Sequence, residues 1–322
     1  MRHSLLASYL LGLLLLSALV GAVVQMAEIE RFIALARRFE PAWLAVCVTL
    51  QSATYLCESV AWNRILNRLG YAFDIRQLLP LSIGKFFSDQ AMPSAGLSGN
   101  AFLLSALRTR GIAAAPAMAC VLADLAAYFA AYASAVAFCV LALGARHELH
   151  PWLLALMALF AALQASIAIL PWCMKRHGRR RAAAWLARYP RLRGRAATLQ
   201  QGISRLPLRP LLLVQLVTLH ACIILLDAAT LWTILRALGE SAPFIPVFAS
   251  FVMASVVMSV SPVPLGLGTF EAACVAMLHG AGIGLEAGLA ATLMLRGFTT
   301  WLPMLPGIWL IRREMAYRST SL

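Results

Sequence analysis

The chain has 322 residues, 61% of them hydrophobic and only 12% charged, with a mean hydropathy of +0.80. That balance excludes an ordinary water-soluble domain and fits a chain whose solvent is lipid. The net charge of +14 does not point to nucleic acid, because it is concentrated: eleven of the 27 Lys and Arg lie between Lys175 and Arg209, a stretch with no acid and no nucleic-acid-binding module.

The first apolar run, Leu5 to Val24, has the ~20 residues that a spanning helix needs. It is too long for a signal peptide and no A-x-A site follows, so it reads as an uncleaved first span. A second span carries Gln51, Tyr55 and Glu58 on one helical face. Gln77 to Leu107 is predicted to dip into the membrane and return. The span from Ala115 to Leu143 carries a stripe of Asp124, Tyr128 and Tyr132, and Trp152 to Trp172 forms another span. Lys175 to Arg209 then reads as a cytoplasmic loop under the positive-inside rule, compatible with attraction to anionic headgroups. His220 and Asp227 share a face of the next span, Leu211 to Leu235. Phe244 to Gly280 is predicted to dip from the other side; the alternative makes Phe244 to Val260 a full span. The last helix, from Leu285, carries Arg296, Thr299 and Thr300.

The seven cysteines (Cys47, Cys57, Cys120, Cys139, Cys173, Cys222 and Cys274) fall in or beside apolar segments without a C-x-x-C pair. They read as small core residues, with neither a disulfide framework nor a metal site expected.

Two stretches match at a shift of 171 positions: Met92 to Ile112 and Val263 to Ile283. Pro93 meets Pro264, Ser98 meets Thr269, Asn100 meets Glu271, and Gly111-Ile112 meets Gly282-Ile283. Upstream the shift is 169: "ILNRLG" (Ile65 to Gly70) faces "ILRALG" (Ile234 to Gly239), Gln51 meets His220 and Glu58 meets Asp227. The matching acids, prolines and glycines indicate an internal duplication, a construction common among transporters. The expected fold is therefore an all-α polytopic membrane protein of about six spanning helices plus two re-entrant helical hairpins in an inverted repeat. Residues 1–322 form one membrane domain: repeat 1 at 41–143, a connecting helix and basic loop at 144–209, and repeat 2 at 210–311. Placing the basic loop in the cytoplasm puts both termini there as well.

A helix that starts inside the membrane exposes unpaired N–H groups and the positive end of its dipole. Ser98 and Thr269 are suited to cap two such half-helices, and their amino ends would attract an anion. Glu271 then serves either as a counter-charge to the dipole or as a partner for Arg296. Arg296 lies 11 residues into its helix, roughly 16 Å at 1.5 Å per residue. Ionisable residues at that depth are functional by default, although a buried pair that only fixes helix packing is the plainer alternative. The polar stripes line a hydrophilic groove or hydrogen-bond between helices.

These residues also carry a resemblance. "MPSAGLSGN…RTRG" and "PVPLGLGTFEA", with "WNRILNRLG" and Arg296 after "LAATLML", resemble motifs of the lysylphosphatidylglycerol synthase transmembrane, or flippase-like, family. The likeness runs from about Trp43 to Ile311. Asn100 stands where that family usually has an acid, and Phe270 where it often has an arginine.

The resemblance implies lipid translocation or support of lipid-linked synthesis, in a bacterial plasma membrane. A headgroup of a phospholipid or polyprenyl-phosphate lipid would contact Ser98, Asn100, Thr269 and Glu271, while Asp124, Glu58, Asp227 and Arg296 line or gate the path. The alternative is a non-transporting accessory protein of lipid, hopanoid or glycolipid biosynthesis. No H-E-x-x-H, G-x-S-x-G or D-x-D cluster occurs, nor a G-x-x-x-x-G-K nucleotide loop. No catalysis, cofactor or catalytic metal is therefore expected. With only a few residues between Arg313 and Leu322, the soluble transferase domain of larger relatives is not expected here. The expected partners are membrane lipids with anionic headgroups. A lipid-modifying enzyme is a further candidate, nucleic acid is not, and a homo-oligomer is compatible with the sequence.

Overall fold

The computed structural model describes residues 39–91, 97–144, 151–174, 193–207, 209–260, 268–301 and 306. Among them are ten α-helices and no strand: α1 (Pro41–Arg68), α2 (Ile75–Ala91), α3 (Leu97–Thr109), α4 (Ala114–Gly144), α5 (Pro151–Cys173), α6 (Arg193–Arg205), α7 (Pro210–Ala237), α8 (Phe244–Val260), α9 (Thr269–Gly280) and α10 (Leu285–Arg296). A π-helical turn, Gly297–Trp301, follows α10. The span expected at Leu5 to Val24 and the breaks at Pro93 and Pro264 lie outside the described residues.

Three helices, α1, α4 and α7, are long and apolar enough to cross a membrane. Proline stands in the first turn of α1 and of α7, where its missing N–H costs no hydrogen bond. Within the segments expected to dip into the membrane, α2 packs on α3 and α8 on α9.

Helix lengths and joints recur at the sequence offset. Helices α1 and α7 have 28 residues each, and α2 and α8 have 17 each, both pairs at an offset of 169. At the ends of α1 and α7, Gly70 and Gly239 both take φ 88°. Tyr71 N–H then reaches Leu66 O, and Glu240 N–H reaches Leu235 O, each at 3.0 Å. This is Schellman closure, which needs a left-handed residue and so favours glycine. The same closure ends α3 and α9, at Gly111 and Gly282. One side-chain brace also recurs in different chemistry. Asn63 Nδ2 donates to Phe73 O across the α1–α2 joint, and at equivalent positions Trp232 Nε1 donates to Ala242 O across the α7–α8 joint.

The equivalent helices α1 and α7 pack against each other, and they run antiparallel. Gln51 contacts Asp227, Glu58 faces His220 and Arg64 contacts Gln215, so the partner number falls as the α1 number rises. Two apolar cores flank this crossing. One joins Ile65 and Leu66 of α1 to Leu81 of α2, Leu103 of α3, Cys120 of α4 and Leu216 of α7. The other joins Cys47 to Val136, Leu231 and the α8–α10 residues.

The basic stretch is not wholly a loop. Its end folds into α6, which packs on α4, and Ile203 and Leu206 bury themselves in the first core. A side chain at Gly202 would meet Met118 Cγ at 2.6 Å, so the glycine permits the close approach. Leu199, Ile203 and Leu206 recur at helical spacing, which gives α6 one packing face.

Candidate functional site

Between the two cores lies a closed ring of four charged or ionisable side chains. Lys85 Nζ donates to Glu58 Oε1 and, at 3.0 Å, to Asp124 Oδ2. His220 Nε2 donates to Asp124 Oδ1 at 3.1 Å, and His220 Nδ1 lies 3.8 Å from Glu58 Oε2. Each carboxylate thus bridges the ammonium and the imidazole. Glu58, Asp124 and His220 are almost wholly buried, at 2%, 1% and 3% exposure, whereas the Lys85 side chain retains 14%. The ring therefore shows its cation, and not its carboxylates, to the outside.

Helix register builds this layer. Glu58 lies ten residues from the end of α1; Lys85, Asp124 and His220 lie ten residues from the starts of α2, α4 and α7. Chain connection and the antiparallel crossing bring those ends to one side. All four groups therefore lie about 15 Å along their helices from those ends, at 1.5 Å per residue. Trp62 closes the floor: its ring lies 5.4 Å from Lys85 Nζ, and its buried Nε1 has no acceptor among the described residues.

Glu58, Asp124 and His220 place one donor atom each within 4.8 Å of one another. Such a set suits a cation, and the cation in place is the Lys85 ammonium. The set is therefore an ion-pair ring. Setting each carboxylate against a cation lowers the large cost of isolated charges in a low-dielectric interior.

Asp227 sits on the same α1–α7 interface, two turns along. It accepts from Gln51 Nε2 at 2.9 Å, and Gln51 also donates to Thr230 Oγ1 at 3.0 Å. Under the 169 shift the positions of the Gln51–Asp227 contact correspond to those of the His220–Glu58 contact. Glu271 and Arg296 form a separate buried pair, with Arg296 Nε donating to Glu271 Oε1 at 2.5 Å. The guanidinium lies 5.0 Å from the Phe270 ring centroid, and Glu271 Oε2 has no hydrogen-bond partner among the described residues. Of the two readings of Glu271, the structure has the one in which it pairs with Arg296. Helix geometry changes immediately afterwards, in the π turn that carries Thr299 and Thr300. Such turns are frequent at functional sites.

The caps differ from expectation. Thr269 is the first helical residue of α9, and Gly268, at φ 79°, stands at the cap with no side-chain hydrogen bond. Ser98 lies inside α3; its hydroxyl donates to Ser88 O at 2.8 Å and to Asp89 Oδ1 at 3.3 Å. The amino end of α3 is served by Asp89, whose Oδ1 accepts from Gly99 N–H at 2.7 Å. An internal carboxylate thus occupies the place expected for a headgroup anion. A side chain on Gly99 would meet that carboxylate at 2.3 Å, so only glycine allows it so near. Asn100 lies half-buried one residue on.

Of the eight residues singled out from sequence, the ring unites Glu58 and Asp124, and the second pair unites Glu271 and Arg296. Sequence reasoning missed Lys85 and Asp89. The available signal was a lone lysine with an acid four residues on, in an otherwise apolar stretch of a chain with 25 arginines and only two lysines.

Residues 9–307 match the family model described as the lysylphosphatidylglycerol synthase TM region. No curated protein matches the chain.

Proposed function

Because the chain belongs to the lysylphosphatidylglycerol synthase TM-region family, we propose that this integral membrane protein is a flippase-like lipid transporter. It carries the headgroup of an anionic phospholipid or polyprenyl-phosphate lipid past buried charges while the acyl tails stay in the bilayer. The observation that carries the reading is the ring of Glu58, Lys85, Asp124 and His220. Its depth of about 15 Å is half of a ~30 Å hydrocarbon core. Charges at mid-bilayer are costly, and they mark substrate or ion paths in membrane bundles. Lys85 and Arg296 are the groups suited to a phosphate, Lys85 as the exposed corner of its ring and Arg296 as a bidentate donor.

The antiparallel crossing of the equivalent helices α1 and α7 supports an inverted repeat. At 12 or 13 residues, α3 and α9 span only about 20 Å, which supports re-entrant hairpins. Arg64, Arg68, Arg108 and Arg209 gather at the side from which the ring is measured, which supports a cytoplasmic assignment for that face and a bacterial inner-membrane location. In this reading the chain performs no covalent chemistry.

The test is reconstitution into vesicles with a labelled phosphatidylglycerol. The wild-type protein should exchange it between leaflets faster than protein-free vesicles do, and Glu271→Gln or Arg296→Ala should slow exchange about tenfold or more, as loss of a charge-assisted hydrogen bond implies. Equal rates with and without protein, across anionic phospholipids and polyprenyl phosphates, would refute the transporter reading.

A further inference from the structure

Charge balance in the ring has a consequence for what else moves with the lipid. Two carboxylates and one ammonium leave one negative charge uncompensated, and the imidazole is the remaining group in the ring. Both of its nitrogens face carboxylates, Nε2 at 3.1 Å from Asp124 and Nδ1 at 3.8 Å from Glu58. A neutral imidazole has one N–H to offer; an imidazolium has two. Two negative and two positive groups face one another only with His220 protonated, so that form balances the charges of the ring.

The other charged groups on the surrounding helices are engaged elsewhere. Asp227 on α7 itself takes the Gln51 amide. Arg296 of α10 holds Glu271. Asp89 of α2 faces the amino end of α3. Tyr128 of α4 meets the His220 ring edge-on, with centroids 6.1 Å apart. Towards the ends of α7, Arg64 bonds Gln215 and Arg236 lies over Trp232. None of these groups completes the ring.

We propose that the Glu58–Lys85–Asp124–His220 ring is a proton-coupling site, in which a phosphate-ester headgroup draws Lys85 away and a proton enters to replace it. This rests on the lipid-transport reading above and adds its coupling ion. Lys85 is the one corner of the ring open to an incoming ligand, since its side chain keeps 14% exposure while the other three corners are almost wholly buried. Once Lys85 turns to the headgroup, Glu58 and Asp124 face His220 alone. One carboxylate must then take a proton for the buried layer to stay neutral. No bond to carbon or phosphorus changes: the proton comes from water on binding and returns to water when Lys85 closes the ring again. Headgroup and proton thus enter together, and a proton gradient would drive the lipid.

The linkage is measurable on the purified full chain in a non-ionic detergent. Short-chain dihexanoyl phosphatidylglycerol is titrated calorimetrically in two buffers of different ionisation enthalpy at one pH. Uptake of about one proton per lipid is expected, with affinity rising about tenfold for each unit of pH lowered. The charge-balanced double variant Lys85→Met/Glu58→Gln leaves Asp124 opposite His220, and it should bind more weakly and without uptake. Wild-type binding with no proton uptake, or uptake that persists in the double variant, overturns the coupling and leaves lipid transport standing. The wild-type measurement decides the matter even if the variant does not fold. Failure to bind any anionic short-chain lipid overturns the transport reading and the coupling together. Equal affinity for glycerol phosphate would assign the site to soluble phosphate esters and overturn the lipid part.

Discussion

The two halves of the molecule share joints and differ in charge. Helix α2 carries Lys85 and Asp89, whereas α8, its counterpart of equal length, has Ala254 and Met258 at those positions. Ala254 is fully buried in the second core. The first half therefore supplies three corners of the ring and receives only His220 from the second. Among the described residues the second half also holds the buried Glu271–Arg296 pair. The turns that end α1 and α7 match, since Gly70 and Gly239 close them in the same way. Charge differs: among the described residues the ionic ring stands where α1, α2, α4 and α7 meet.

The sharpest way to break this comparison is to move the charge. Lys85→Met strands two buried carboxylates, and removing one partner of a buried ion pair costs about 3–5 kcal/mol. Ala254→Lys places an unpaired ammonium in the equivalent position and should cost several kcal/mol too. Thermal unfolding in detergent should show large losses for both single variants. A stable Ala254→Lys would mean that the second half tolerates an ionic layer and that the asymmetry is accidental.

The next effect is smaller. Gln51 and His220 are equivalent, yet Gln51 serves a half-buried carboxylate and His220 a closed ring. Gln51→Leu leaves Asp227 Oδ1 and Thr230 Oγ1 without their donor, for a loss of about 1–3 kcal/mol. It leaves the ring untouched, so any coupled proton uptake should survive. Loss of that uptake in Gln51→Leu would show that the two interface contacts act as one unit.

How much of this was legible in the sequence follows the range over which each feature acts. The α1–α2 and α7–α8 joints were legible, since a Schellman glycine and its helix are local in sequence. The stripes of Gln51, Glu58, His220 and Asp227 were legible, since helical spacing alone puts them on one face. Lys85 was not: its partners lie 27 and 39 positions away, and no periodicity links a lone lysine to them. The Ser98 and Thr269 caps failed for a related reason. Local propensity favours a hydroxyl at a helix start, but Asp89 reaches α3 from the neighbouring helix, and Gly268 takes a left-handed turn that a threonine would resist.

The smallest expected effect tests the shared half of the comparison. Gly70 and Gly239 have the same φ of 88°, and an added Cβ at either meets nothing within 4 Å. Alanine there incurs the left-handed backbone penalty and no clash, about 1–2 kcal/mol. Since α1 and α7 run antiparallel, the two turns lie at opposite ends of helices about 40 Å long and share no neighbour. Gly70→Ala and Gly239→Ala should therefore lower stability equally, and the double variant should lose the sum within about 0.5 kcal/mol. Unequal losses would mean that one joint carries strain the other lacks. The duplication would then be a matching of lengths, and not of mechanics.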